Sequence, residues 1–370
     1  MKLHRHARAS SALASAIVTL ALVVSPALAV GPSVWVAASG LDNPRGIAVG
    51  ANGRVFVAEA GRGGAGGYGP SGRITVIDRG RVSTFAGGLP SALSPEGEIT
   101  GPTNVALNAD GNAMAVIGGG PQAVDSRFNS LLALRPTRSL GDIQAYVDAH
   151  PDLTDLDRPP HPTDSNPYGA AWLSGSRTLV TDAGNNTLLL VGPNHSIQSV
   201  AKFPNEVVST SWLPFPFPFP AVPAEAVPTS VAVGPDGYWY VGELKGFPFT
   251  PGTSRIWRIA PWARGVTCDP AATSGPCTLF MGGFTSITGL DFGPDGSLYV
   301  VEMVKSSVLN LFIGADTTGA LYRVSGGTKT ELIPGQLTTP DDVAIARDGT
   351  IYVTNKSVSI GTGEVIAIRP

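Results

Sequence analysis

Residues 228–243 read PTSVAVGPDGYWYVGE, and this stretch decides the fold. A short apolar run, Val231-Ala232-Val233, leads to Asp236-Gly237 and then to Trp239-Tyr240-Val241-Gly242-Glu243. Asp-Gly supplies the positive φ of a tight hairpin turn, and the flanking Val, Tyr and Trp suit strands. The same plan recurs along the chain. Pro44-Arg45-Gly46-Ile47-Ala48-Val49 leads to Asn52-Gly53 and Val55-Phe56-Val57-Ala58-Glu59. Pro102-Thr103-Asn104-Val105-Ala106-Leu107 leads to Asp110-Gly111, and Pro167-Tyr168-Gly169-Ala170-Ala171-Trp172 leads to Ser174-Gly175 and Leu179-Val180-Thr181-Asp182. Ile287-Thr288-Gly289-Leu290-Asp291-Phe292 leads to Asp295-Gly296 and Leu298-Tyr299-Val300-Val301-Glu302. Pro340-Asp341-Asp342-Val343-Ala344-Ile345 leads to Asp348-Gly349 and Ile351-Tyr352-Val353-Thr354-Asn355. The turn glycines are 58, 64, 62, 59 and 53 residues apart. Further strands follow each pair, such as Arg73–Ile77 with Val82–Phe85, and Arg255–Ile259 with Thr278–Met281. Six units of four strands describe a β-propeller.

The ends of the chain support that count. The sixth copy runs through Glu364-Val365-Ile366-Ala367-Ile368 and is one strand short, while Val34-Trp35-Val36-Ala37-Ala38 precedes the first full copy. That leading segment is expected to be the outer strand of the last blade, closing the ring and removing an exposed edge. The expected fold is all-β: a six-bladed propeller closed by the N-terminal strand of the mature chain, one domain over residues 30–370. Two segments interrupt the pattern. Leu140 to His150 (LGDIQAYVDAH) has apolar residues near helical spacing and predicts one short helix. Leu213 to Pro220 (LPFPFPFP) alternates with proline, which cannot donate to a ladder, and predicts an extended loop whose Phe residues pack on the propeller wall.

Residues 1–29 carry a three-part leader: basic Lys2, Arg5 and Arg8, an apolar run from Ala12 to Val24, and the cleavage signature Ala27-Leu28-Ala29. The apolar run is short for a membrane span, which needs about 20 residues. Cleavage would leave an exported chain with no integral membrane segment. The leader holds three of the 25 basic and none of the 28 acidic residues, so the mature net charge is −6. That argues against electrostatic capture of nucleic acid or of an anionic membrane. Gly 46 and Pro 32, with only 14% charged residues, fit many tight turns and few long polar helices. The two cysteines, Cys268 and Cys277, are expected to pair as a disulfide in an oxidising compartment. A monomer is expected.

Candidate chemistry lies where the repeat makes residues converge. The start of a blade's first strand and the end of its second lie at one mouth of the central channel. Glu59, Glu243 and Glu302 fall six residues after their turn glycine, Asn355 holds that place in the last copy, and Asp182 lies one residue later in its own. Gly46, Asn104, Gly169, Ser230, Gly289 and Asp342 occupy the position before the first strand. Like charges confined together need a cation or protons, and an oxygen-only set suits Ca²⁺ or Mg²⁺. Glu59, Asn104, Asp182, Glu243, Glu302 and Asp342 are therefore candidate ligands of an axial cation. The alternative is that each acid caps backbone N–H groups of the neighbouring blade and fixes blade packing. Phe247, Phe249 and Tyr168 are candidates for an apolar lip that receives a small molecule or a protein segment. The glycine-rich stretch 61–69 is not followed by a helix that could hold a phosphate. The mature chain has three histidines (His150, His161, His195) and no G-x-S-x-G, so no hydrolase triad is indicated.

With these motifs laid out, the chain resembles the ScyD/ScyE family of secreted propellers and, more distantly, NHL-repeat and gluconolactonase-type propellers. The resemblance rests on Ala58-Glu59-Ala60-Gly61, Ser165-Asn166-Pro167-Tyr168-Gly169, residues 227–237, Gly242-Glu243-Leu244-Lys245-Gly246-Phe247-Pro248-Phe249 and Gly361-Thr362-Gly363-Glu364-Val365. It implies an exported propeller and no assigned reaction. The gluconolactonase-type relatives imply an axial metal held by Glu, Asn and Asp side chains. Three readings stay open: a binding or accessory module, a metal-dependent lactonase-like hydrolase, and a structural or protein-interaction module of the cell surface.

Overall fold

The computed structural model describes residues 31–94, 97–156 and 160–370; the leader lies outside them. The described chain forms six antiparallel blades, each an up-and-down sheet. The blades begin with the innermost strands Pro44–Val49, Pro102–Leu107, Pro167–Trp172, Pro228–Val233, Ile287–Phe292 and Val343–Ile345. The turn glycines do what the sequence asks of them. Gly237 and Gly296 both sit at φ 78, and each donates its N–H back three residues to close the hairpin, at 2.9 Å.

The ring closes as expected. Ser33–Leu41 pairs antiparallel with Gly363–Arg369, from Ser33 opposite Arg369 to Leu41 opposite Gly363. The sixth blade is thus completed by the segment that precedes the first.

Each blade buries both faces against its neighbours, and six apolar clusters fill the six seams. Phe56 and Ile74 meet Val105 and Ile117 between blades 1 and 2, and Val116 and Leu131 meet Val180 and Leu189 between blades 2 and 3. Leu188 and Phe203 meet Val241 and Trp257 between blades 3 and 4. Tyr240 and Ile256 meet Leu290 and Val300 between blades 4 and 5. Val301 and Leu321 meet Val353 and Ile366 between blades 5 and 6. Ala38 and Val365 meet Ile47 and Val57 at the closing seam. Burial on both faces explains why the strands read as near-continuous apolar runs.

The interruptions also resolve. The helix is Ile143–Ala149, starting later than Leu140 because residues 137–142 finish the outer strand of blade 2. Asp142 caps it by accepting the Ala145 N–H, and Ile143 and Val147 are buried. A second short helix, Val308–Phe312, was not legible; Ser307 caps it, and only Val308 of its residues is buried. The Phe-Pro run links a hairpin, Glu206–Ser209 with Ala221–Ala224. Its expected packing on the wall is found only in part: Phe215 and Phe219 are 45% and 60% exposed, whereas Phe217 is half-buried against Phe247, and Leu213 is buried.

Cys268 and Cys277 form the disulfide, with Cα atoms 5.3 Å apart. It anchors an excursion between the third and fourth strands of blade 4. That excursion contributes Val266–Thr267 as a parallel fifth strand on blade 3, beside Ala201 and Lys202. Among the described residues no helix is long and apolar enough to cross a membrane.

Candidate functional site: the axial channel

The acids that end the second strands are buried, and each has its own donors. Three of these acids, and Asn355 at the same place in blade 6, accept a backbone N–H from the segment leading into their own blade: Glu59 from Asp42 (2.7 Å), Asp182 from Asn166 (2.8 Å), Glu302 from Thr285 (2.9 Å) and Asn355 from Thr338 (2.8 Å). Glu59 also takes two bonds from Arg73, at 2.8 and 2.5 Å. Asp182 takes further bonds from Ser165 Oγ and from the N–H groups of Gly184 and Asn185. Glu243 instead pairs with the buried Lys245 at 2.8 Å and accepts Trp257 Nε1–H at 2.5 Å. Burial pushes Asp182 up to about 6 and Glu302 up to about 7, and raises Glu243. Of the six candidate cation ligands, the structure joins Asn104 and Asp342, whose side chains meet at 3.3 Å. Among the described residues no three of His, Cys, Asp and Glu gather into a set that could hold a metal ion.

The starts of the first strands do converge, in two layers. The outer layer is Arg45, Thr103, Tyr168, Thr229, Thr288 and Asp341. Tyr168 donates its hydroxyl to Asp341 Oδ1 at 2.6 Å and accepts from Arg45 Nη1 at 3.2 Å. Blades 3 and 6 face each other across the ring, so this bond spans the axis. Arg45 also reaches Glu98 at 3.2 Å. All three central side chains are buried, and they seal the mouth at which ligands were expected. Burial raises Asp341 to about 6 and Tyr168 well above its ordinary value. Asp341 Oδ2 and Thr288 Oγ1 are buried without a hydrogen-bond partner among the described residues. Tyr168, expected at a lip, is therefore part of this seal.

The second layer alternates small and polar around the ring: Gly46, Asn104, Gly169, Ser230, Gly289, Asp342. The alternation is steric. A Cβ on Gly46 would lie 2.5 Å from Asn104 Nδ2, and one on Gly289 would lie 2.6 Å from the Asp342 Cα. Asp342 bridges to blade 1, accepting the Ile47 N–H at 3.0 Å besides Asn104.

Below this floor the channel widens into a cup of about 290 Å³ lined by the first strands of all six blades. Its walls include Ala48, Ala106, Ala171, Ala232 and Ala344, the same repeat position in five blades; blade 5 has Asp291 there. Asp291 accepts the N–H groups of Ile345 (2.7 Å) and Phe292 (2.8 Å), tying blade 5 to blade 6. Burial pushes its carboxyl up to about 7 and holds Asp342 well above the carboxylate range. Val49, Leu107, Trp172, Val233 and Ile345 form the open rim, at the end opposite the seal.

Phe247 and Phe249 do not line this cup. They belong to a ladder of rings on the sealed face: Phe217 to Phe247 at 5.8 Å, Phe247 to Phe249 at 6.2 Å, and Phe249 to Phe312 at 5.8 Å between centroids. Sequence reasoning missed Arg45, Asp341 and Asp291. The signal was available in the repeat register. Arg45 and Asp341 are the charged members of a position that is otherwise Thr or Tyr, and Asp291 replaces a recurrent alanine.

No protein-family model matches the chain, and no curated protein matches it in sequence. Among solved structures it is similar to a protein of unknown function from Bacteroides thetaiotaomicron VPI-5482 (TM-score 0.52, 11% identity, 92% of this chain and 76% of that one). It is also similar to a protein assigned as a gluconolactonase (TM-score 0.50, 12% identity, 92% of both chains). A third is the PQQ-bound aldose sugar dehydrogenase of Streptomyces coelicolor (TM-score 0.50, 13% identity, 91% of this chain and 98% of that one). At these identities the likeness shows the fold, a six-bladed β-propeller, and function must be argued from the site.

Proposed function

We propose that the protein is an exported binding propeller that holds a small molecule in the axial cup. The observation that carries this reading is the cup itself: a cavity of about 290 Å³ with an alanine from five of the six blades in its wall and Asn104, Ser230, Asp291 and Asp342 as its polar side chains. A concave site with a small number of fixed polar side chains can orient a small molecule. The seal across the other mouth makes the cup blind, so a ligand enters by the Trp172 rim. The acids of the second strands act as blade-packing parts, since their oxygens are committed to donors of their own blade. Export is supported by the leader motif, the Cys268–Cys277 disulfide and the resemblance to ScyD/ScyE propellers. The test is ligand-observed NMR with a set of uncharged and charged fragments of about ten non-hydrogen atoms. It compares the native protein with an Ala106→Leu, Ala232→Leu variant that fills the cup. Fragments that bind only the native protein support the reading. An identical hit list for both, with the variant folded, refutes it.

A further inference from the structure

The cup contains two carboxyl groups, and among the described residues no Lys, Arg or His lines it. The partners of Asp291 and Asp342 are all neutral, namely backbone N–H groups of Ile47, Phe292, Val343 and Ile345 and the side-chain amide of Asn104. The nearest layer with a cation is the seal, where Arg45 is already engaged by Tyr168, Glu98 and Asp341. Elsewhere several buried acids are paired with bases, as in Glu59 with Arg73, Glu243 with Lys245 and Asp152 with Lys202, while Asp182 is held by neutral donors alone. The cup is the cavity at which two acids, half-buried Asp291 and buried Asp342, stand together with neutral partners only. Ser230, also in the lining, has a buried hydroxyl with no hydrogen-bond partner.

We infer that the cup selects a small organic cation, a substituted ammonium group carried on a short apolar or hydroxylated body. This rests on the reading of the cup as a ligand site. Asp291 stands at the alanine position of the wall, so its carboxyl faces whatever fills the cavity, while Asp342 and Asn104 form the floor. The Ala and Val walls suit methyl and methylene groups. The indole of Trp172 at the rim suits a cation of low charge density, which is attracted to an aromatic face and is cheaply dehydrated. A compact divalent ion needs six or more oxygen ligands, which the alanine walls do not supply. An anion would meet two acids and no base.

The probe is choline, beside its uncharged isostere 3,3-dimethylbutan-1-ol, titrated by calorimetry at pH 8 into the mature protein. Choline should bind at one site, at least about tenfold more tightly than the isostere. Asp291→Ala should abolish that preference. This variant installs the residue that five blades already carry at this position, and its thermal melt verifies folding. Filling the cup with Ala106→Leu, Ala232→Leu should abolish choline binding altogether. Equal binding of the two probes overturns the inference of charge selection and leaves the cup as a binding site. Binding of neither, while uncharged fragments still occupy the cup, overturns it in the same way. Choline bound equally by the cup-filled variant places the cation elsewhere and also overturns it. Binding of neither probe and of no fragment removes the binding reading as well.

Discussion

At the scale of single residues, the axis is built from side chains that each satisfy a neighbour's backbone or charge. Glycine at positions 46 and 289 is required by close approach: the space a Cβ would take belongs to Asn104 and to Asp342. Gly289→Ala should cost about 1–3 kcal/mol, the usual range for overpacking, read as a lower urea midpoint with an unchanged slope. A variant as stable as the native protein would show that the floor is looser than described. Tyr168→Phe is a second case. It leaves the ring in place but removes the hydroxyl that donates to Asp341 and accepts from Arg45. The expected loss is about 1–3 kcal/mol, and Thr229→Val, which also deletes a buried ring hydroxyl but no charge contact, should cost less. Legibility at this scale was uneven. Glu59, Glu243 and Glu302 could be found from the repeat, which left two roles open, cation ligand and blade-packing part. Whether an acid turns to the axis or into its own blade depends on partners such as Arg73, Lys245 and the Thr285 N–H, which are remote from the motif in sequence. Asp291 could be aligned with the alanines but not recognised as lining a cup until the walls were in place.

At the scale of elements, the blade strands were legible because alternation, Asp-Gly turns and spacing all agree. The closing strand was legible because one copy lacked a partner and one segment lacked a blade. The connections were less so. The Val308–Phe312 helix is one short turn with a single buried residue, too weak a periodicity to read. The Phe-Pro loop met its expectation only at Phe217, because apolar composition does not reveal which ring finds a partner such as Phe247. The disulfide could be paired from composition, but its position could not. It holds the excursion that adds Val266–Thr267 to blade 3, so it staples two blades rather than a free surface loop. Reduction, or Cys268→Ser with Cys277→Ser, should lower stability by about 2–3 kcal/mol. Hydrogen exchange should rise first at Ala201 and Lys202, on blade 3. Protection unchanged there, with loss confined to blade 4, would contradict the staple.

For the whole molecule, buried acids set the pH response. Asp182 and Asp341 titrate near 6, and Asp291 and Glu302 near 7, all raised by burial above the values an unfolded chain would give. Between about pH 4 and 7 the native state therefore holds more protons than the unfolded state, and stability falls as pH rises through that window. Asp125, held at about 2 by its Arg127 partner, acts in the opposite sense and only below about pH 4. The melting temperature should be higher at pH 5 than at pH 8 at matched ionic strength. The reverse order would show that the donors around these acids outweigh burial. The seam between Ser33–Leu41 and Gly363–Arg369 carries a consequence for biogenesis. Its two halves are separated by nearly the whole chain, so no ribosome-bound molecule can own a complete sixth blade. Until residue 369 has been made, the nascent ring remains open at two raw sheet edges, and a bulky fusion partner just ahead of residue 33 would prolong that interval.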